Sequence, residues 1–536
     1  TPCGTLFPYT TLFRSGSEVT QTTYNYYANF AVGLCEGEIL DVHRVWADGR
    51  LLHLDEYTYR IYKGTETQTP DSLMEQKDGS GNIPGYRGLA YIVFEDMPLS
   101  RFGNRIPQLN FEVTRRINRA DNDSSADLVT GICLIPGTTE FGYDPNVIDQ
   151  VIFDGTAIVE RRVENDHLRD GVSDWEHALD QLTTNLPNVN TITFVVSWFG
   201  DDLRIGDCTI RPKVENNTKF TDPIMWEVAG LDRTTALVIS KVDGRPAYGG
   251  APNDLSVYRA IQDLKSRGYE VQFYPFIVMD IENGNSLPNP YSDNAAESGQ
   301  PVYPWRGRIT ISPAIGYTGS PDKSAAAATQ VNAFLGTASA SDFSGSSGTV
   351  NYSGTTEWSF RRFSLHYAEL CRQAGGVDYF CIGTEMVEAN RARSATTTFP
   401  FVDGLISLAS EVASLLPSAE LTYAADWSEW NGYRPGDGSG DVLFHLDPLW
   451  ADSNIDFIGI DNYMKLSDWR DSDDHADYGD GNDTYGNPKG DSIYDVEYLR
   501  GQVAAGEDYD YFYASLADRI SQTRTAITDG GVGKPW

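Results

Sequence analysis

Short stretches in which apolar and polar residues alternate fill the first part of the chain. "YNYYANFAVGLCEGEI", "DVHRVWADGRLL", "YTYRIYKGTE" and "YRGLAYIVFEDMPLSRFGNRIPQLNFEVTR" set Tyr, Val, Ile and Phe against polar neighbours at period two, the pattern of half-buried strands. Asp48-Gly49 between apolar flanks marks a hairpin turn. These strands predict a β-rich domain over residues 16–117, with no catalytic set in it. Residues 118–187 read as a mixed connector with a strand-like "LVTGICLIPG" and one amphipathic helix, "DWEHALDQLTTNL", whose Trp175, Ala178, Leu179 and Leu182 recur at helical spacing.

Beyond residue 188 the period changes. "NTITFVVSWFGDD", "TALVISKVDG", "EVQFYPFIVMD", "DYFCIGTE", "ELTYAADW" and "IDFIGIDNY" are near-continuous apolar runs, as expected of strands covered on both faces of a parallel sheet. Helical patterns lie between them: "DLSVYRAIQDLKSRG", "FRRFSLHYAELCRQAGG", "FVDGLISLASEVASLLP" and, after the last strand, "YFYASLADRISQTRTAITDGG". Strand and helix in alternation predict right-handed βαβ units, hence an α/β (β/α)8 TIM-barrel-like domain over residues 188–536, incomplete at about strands 1–6. A doubly wound sheet is the alternative, weakened by the lack of a GxGxxG turn after the first strand. The Gly/Ser/Ala-rich stretch 283–353 and the acidic, aromatic stretch 465–510 are expected as loops on the barrel rim. A barrel without its last strands exposes apolar edges and is expected to aggregate.

Composition narrows the function classes. With 76 acidic against 41 basic side chains the formal charge is -35, which repels phosphate backbones, so nucleic acid is a poor partner. No apolar run approaches the ~20 residues of a bilayer span, so no membrane anchor is expected. The six cysteines form no CxxC pair and there is no HExxH, so neither a zinc site nor any cofactor is signalled. His366 and His445 read as structural, and "DWRDSDDHADYGDGND" as a solvated acidic rim in preference to a calcium loop.

Candidate chemistry lies at the strand ends. All six predicted strands close on carboxylates: Asp201 with Asp202, Asp243, Asp280, Glu385, Asp426 and Asp461. In a barrel these ends open on the face where active sites are built. Helix capping explains many such Asp residues but suits Glu385 less well, since Glu caps poorly. Aromatics share the same ends: Trp198, Tyr423, Trp427, Trp430, Tyr463 and Trp469. Carboxylates for acid–base work together with flat apolar faces are what a glycan site requires. A hydrolytic pair stands about 5–5.5 Å apart for retention and ~6.5–9.5 Å for inversion. Glu385 is the expected general acid/base, with Asp461 or Asp426 as second-choice partner; Trp198, Asp426, Trp427, Tyr463 and Trp469 are the expected sugar contacts, and no metal is expected.

Several long motifs carry a family likeness. "WFGDDLRIGDCTIRPKVE", "GRPAYGGAPNDLSVYRAI", "YPWRGRIT", "YAADWSEW" with "FHLDPLWAD", and "IDFIGIDNYMKLSDWRD" resemble the TIM-barrel, glycoside-hydrolase-like domain of gene transfer agent and phage-tail "megatron" baseplate proteins. "VWADGRLL" and "YRGLAYIVFEDMPLSRFGNRIPQLNFEV" are similar to the tail-hub part of the same proteins. The resemblance implies an N-terminal fragment of a longer polypeptide, whose second glutamate would lie beyond Trp536 in a strand ending "TELG". It further implies a virion component made in the bacterial cytoplasm and sited at the tail tip, a homotrimer within the baseplate that assembles with hub and distal tail proteins. Its barrel would bind or cut a cell-envelope glycan, peptidoglycan or surface polysaccharide. A catalytically inactive gripping or scaffolding barrel is the competing reading, and a free-standing secreted glycosidase is disfavoured by the hub-like N-terminus. Residues 1–15, "TPCGTLFPYTTLFRS", resemble translated sequencing-adapter read-through and are expected to be a non-native or disordered leader.

Overall fold

The computed structural model describes residues 26–115, 125–135, 137–294, 298–429, 432–463, 467–484, 486–504 and 511–526. The expected leader and Trp430 lie outside them. Two compact units form. The first takes the described residues up to Ile132 together with Phe141–Asn190 and Lys219–Met225; the second takes Cys133–Glu140, Thr191–Thr218 and the described residues from Trp226 onward.

The first unit is strand-rich, as the period-two pattern predicts. One three-stranded antiparallel sheet places Leu89–Pro98 between Tyr27–Glu36 and Thr58–Lys63; another places Asp41–Ala47 between Arg50–Leu52 and Leu109–Thr114. Val42, Val45, Ala47, Ala90, Ile92, Phe94 and Met97 come together as its core. The hairpin at Asp48-Gly49 forms, with Ala47 opposite Arg50 and φ of 50° and 78° at the two turn residues, the left-handed pair that an Asp-Gly turn supplies. The amphipathic segment is a helix, Asp174–Asn185, capped by Ser173 and burying Trp175 and Leu179.

The second unit is built on a parallel sheet. Its strands run in the order Thr191–Gly200, Glu270–Met279, Tyr379–Thr384, Glu420–Asp426 and Gly459–Asp461, with the short antiparallel Ile210–Arg211 beside the first. Thr191 lies opposite Glu270 and Gly200 opposite Met279, so the first two strands pair along their whole length. Helices Asp254–Ser266, Phe360–Gln373 and Pro400–Leu415 follow the three helical patterns. Asn253 caps the first of them, accepting from the N–H groups of Leu255 and Ser256, and Val257, Ala260, Ile261 and Leu264 form its buried stripe.

Five of the six predicted apolar runs become parallel neighbours in this seven-stranded sheet, which Gly131–Leu134 also joins beside Thr191–Gly200. "TALVISKVDG" is not a sheet strand: Leu237–Val238 makes a two-residue ladder with Lys213–Val214, and Lys241–Val242 turns back onto Arg245–Pro246 through Asp243-Gly244. Leu237, Val238 and Val242 are exposed while Ala236 and Ile239 are buried, so the run is split between a short parallel ladder and a hairpin and forms no continuous buried strand. The 283–353 stretch is more ordered than a rim loop, holding the helix Ala325–Leu335 and a hairpin of Phe343–Ser346 with Thr349–Tyr352. After the last strand the long helical pattern shortens to Leu516–Ser521, flanked by the pair Tyr511–Phe512 and Thr525–Ala526.

Along Glu270–Met279 fully buried residues alternate with partly exposed ones. Val271, Phe273, Ile277 and Met279 are buried, whereas Gln272, Tyr274 and Phe276 line a cavity of about 650 Å³ on the inner face of the sheet. That inner face carries the candidate chemistry.

Candidate active site

Glu385 directly follows the strand Tyr379–Thr384 and has φ of 47°, a left-handed conformation that costs an L-residue roughly 1–2 kcal/mol. Two hydrogen bonds from consecutive amides hold the backbone there: Glu385 N–H donates to the Ala424 carbonyl at 2.8 Å, and Met386 N–H to the Tyr423 hydroxyl at 2.6 Å. Tyr423 is itself fixed by Asn390, which donates to its hydroxyl at 2.7 Å, and by the buried Glu429, which lies 3.2 Å from it. Glu429 also accepts from Asn390 and from the Asp426 N–H. Burial pushes its carboxyl up to about 7, against the pull of these donors.

The Glu385 side chain is buried at the inner end of the sheet. The indole N–H of Trp305 donates to its Oε2 at 2.7 Å, and Arg306 Nη2 lies 3.0 Å from the same oxygen as an ion pair off the hydrogen-bond line. Arg306 is locked in turn. Its Nε donates to the carbonyl and hydroxyl of Thr384, both at 3.0 Å, and its guanidinium stacks 3.8 Å over Phe276. A cation, an N–H donor and an aromatic support therefore converge on one carboxylate.

Asp461 lines the same cavity as Glu385 and accepts from the Tyr274 hydroxyl. Burial is the largest influence on it; Tyr274 and Arg306 work against burial and Glu385 works with it, leaving the Asp461 carboxyl raised to about 6. Tyr274 is raised as well, by burial and then by Asp461. The two expected acid residues, Glu385 and Asp461, line the same cavity.

The other expected contacts divide. Tyr463 is 68% exposed and lines the cavity with Glu385, Asp461, Tyr274 and Arg306. Trp198 does not: it is fully buried, donates to the Tyr367 hydroxyl at 2.8 Å and packs on Trp358 and Phe363. On its strand Thr193 and Val195 line the cavity, and period two sends Phe194, Val196 and Trp198 to the opposite, helix-covered face. Asp426 shapes the turn after its strand by accepting from Ser428 N–H at 2.9 Å, and neither it nor Trp427 lines the cavity. Trp469 packs against His475, Tyr478 and Tyr498 in the acidic stretch.

The remaining strand-end carboxylates are structural. Asp201 accepts from Thr209, Asp202 from Arg204 and Gln300, and Asp280 pairs with the buried Lys213 at 2.7 Å. His366 meets Asp254 at 3.0 Å in the core, and burial lowers His445 to about 4. The acidic run is only partly a solvated rim. Asp468, Asp477 and Asp483 turn inward around Arg524, at 3.5, 2.6 and 3.1 Å, while Asp471, Asp473 and Asp480 are exposed. No described helix is long and apolar enough to cross a membrane.

Strands carrying an acid pair at their C-terminal ends, helices on one face and an open cavity on the other define a TIM-barrel-like domain. Residues 358–536 match the family model described as the GTA TIM-barrel-like domain. Among solved structures, a chain titled virion of native gene transfer agent (GTA) particle aligns at 37% identity, covering 26% of this chain and 32% of that one, with a TM-score of 0.18. This sequence thus spans about a third of that chain. A GH113 beta-1,4-mannanase aligns at 14% identity over 55% of this chain and 58% of its own, TM-score 0.27. The GH113 beta-mannanase AaManA from Alicyclobacillus acidocaldarius, in complex with ManMIm, aligns at 13% identity over 53% and 54%, TM-score 0.24. No curated protein matches the chain.

Trp305, Arg306, Tyr274 and Glu429 are the residues that sequence reasoning passed over. Period two along "EVQFYPFIVMD" could have set Tyr274 on the cavity face. Trp305 and Arg306 lie 80 and 79 positions before Glu385 in a stretch read as loop, and no local pattern joins them to it.

Proposed function

We propose that this chain is part of the tail tip of a phage-like or gene transfer agent particle, and that its TIM-barrel-like domain binds and cleaves a cell-envelope glycan during host adsorption. The match of residues 358–536 supports the particle setting. The chemistry rests on one observation: the buried Glu385 and the half-buried Asp461 line one cavity of about 650 Å³ that also carries the exposed ring of Tyr463. The pair moves the proton, Trp305 and Arg306 fix its geometry, and Tyr463 offers a face on which a sugar stacks. The first unit serves as a hub-like module toward other tail proteins, in a trimeric baseplate.

The ion pair of Arg306 with Glu385 also favours a second reading, in which the carboxylate is a fixed structural anion and the cavity only grips carbohydrate or scaffolds the baseplate. One experiment separates the two. The chain is incubated with purified peptidoglycan and with surface polysaccharide, and new reducing ends are counted for wild type and Glu385→Gln. Cleavage that disappears in the variant supports the enzyme; retained glycan binding without reducing ends from either form supports the gripping module.

A further inference from the structure

Donors that line the cavity of about 650 Å³ are largely engaged within the protein. Thr193 Oγ1 donates to Gln272 Oε1 at 2.7 Å, Gln272 turns its Nε2 to the Cys381 sulfur at 3.5 Å, and Thr422 Oγ1 donates to the Phe457 carbonyl at 2.7 Å. Arg306 is held by Thr384 and Phe276 and lies 3.0 Å from Glu385, which also takes the Trp305 indole N–H. Asp461 has a neutral partner, the Tyr274 hydroxyl. Of the charged residues in the described lining, Arg306 and Glu385 are therefore matched to each other, and Asp461 is left as the unmatched charge. An ionised carboxylate has about four lone-pair sites, so the capacity still open in this cavity is that of an anionic acceptor.

We infer, resting on the glycan reading above, that the sugar recognised here carries a free amine, bound as an ammonium by Asp461, and that acidic sugars are excluded. An ammonium brings one positive charge and donors without an acceptor, the complement of a half-buried carboxylate whose partner is a neutral hydroxyl. A sugar carboxylate brings the reverse. It needs donors, and it would face Asp461 together with an Arg306 already paired to Glu385, so like charge is left uncompensated. N-acetylation removes the positive charge and leaves a single N–H, hence a neutral hydrogen bond in place of a charge-assisted one. Tyr463 presents its ring to the same cavity and offers every one of these sugars a stacking face, so charge and not stacking separates them.

The test is isothermal titration calorimetry of the full chain with β-1,4-linked tetramers of glucosamine, N-acetylglucosamine and glucuronic acid, in physiological salt. At about pH 6.5 a sugar amine is largely protonated and a carboxylate largely ionised. The glucosamine tetramer should bind about tenfold more tightly than its acetylated counterpart, the difference between a charged and a neutral hydrogen bond, and the glucuronate tetramer should not bind. Asp461→Asn, which keeps an acceptor for Tyr274, should abolish the preference. With a formal charge of -35 the chain attracts any cation, so Asp473→Asn, at an exposed site in the acidic stretch, is the control and should retain the preference. Tyr463→Ala should weaken the glucosamine and acetylated tetramers alike. Equal binding of those two, tighter binding of glucuronate, or a preference that survives Asp461→Asn or is lost in Asp473→Asn overturns the inference and leaves the glycan reading standing. Silence toward the glucosamine tetramer also overturns it; if purified peptidoglycan and surface polysaccharide are unbound as well, the glycan reading falls with it. Far-ultraviolet circular dichroism establishes that the variants fold, and the wild-type ranking of the three tetramers decides without them.

Discussion

The hydroxyl of Tyr274 donates to Asp461 across 187 positions of sequence, tying the second strand of the parallel sheet to the last described one. That donor supports the ionised form of Asp461. Tyr274→Phe should therefore move the Asp461 titration upward from about 6, read by carboxyl NMR or infrared. A downward move would mean that the phenol supports the neutral acid.

Asp461 also makes stability depend on pH. It titrates near 6 in the folded chain against a reference of 3.8, so between those values the folded chain binds more protons and this group's contribution to stability falls as pH rises. Asp461→Asn should stabilise the protein at about pH 8 by on the order of 1–3 kcal/mol, and the gain should fade by about pH 4. Thermal melts at the two pH values test this; a loss of stability at the higher pH would show that the native state favours the ionised Asp461.

Arg524 is the hub of the acidic stretch. Its side chain is 5% exposed and faces three inward-turned aspartates. Arg524→Gln leaves that charge uncompensated and should cost about 3–5 kcal/mol locally. Limited proteolysis should then cut within 467–526 while the rest of the unit stays protected, and an unchanged digestion pattern would count against the hub.

Tyr423→Phe removes the acceptor of the Met386 and Asn390 donors together with the hydroxyl facing Glu429. Unsatisfied buried groups of this kind cost about 1–3 kcal/mol each. The variant should lower the melting temperature and, under the proposed glycan cleavage, also weaken turnover through the Glu385 backbone. A stability loss with full turnover would separate the clamp from the chemistry.

The strand Gly459–Asp461 pairs with Glu420–Asp426 alone among the described residues, and Ile458 beside it is 59% exposed. Ile458→Lys should reduce the light scattering of concentrated samples, as charges at sheet edges do. Equal scattering from both forms would place the sticky surface elsewhere.

The layout was legible wherever periodicity is long. Ten paired positions join Thr191–Gly200 to Glu270–Met279, and the helices Asp254–Ser266, Phe360–Gln373 and Pro400–Leu415 lie where the apolar spacing puts them. "TALVISKVDG" misled because a short apolar run looks the same in a buried strand and in an exposed hairpin. Glu385 could be singled out because Glu is a poor cap, whereas its partners could not. Trp305 and Arg306 reach it from a turn that only tertiary packing brings near. Trp198 was misplaced because being near a strand end does not say which face a side chain takes.

The left-handed backbone at Glu385 has a consequence for selection. At φ of 47° glycine would relieve the backbone, yet it would also leave the buried Arg306 guanidinium and the Trp305 N–H without their acceptor, a loss of about 3–5 kcal/mol that outweighs the roughly 1–2 kcal/mol of strain removed. A library at position 385 screened for heat resistance alone should therefore return glutamate and not glycine, because the anion is what keeps Arg306 compensated in the core.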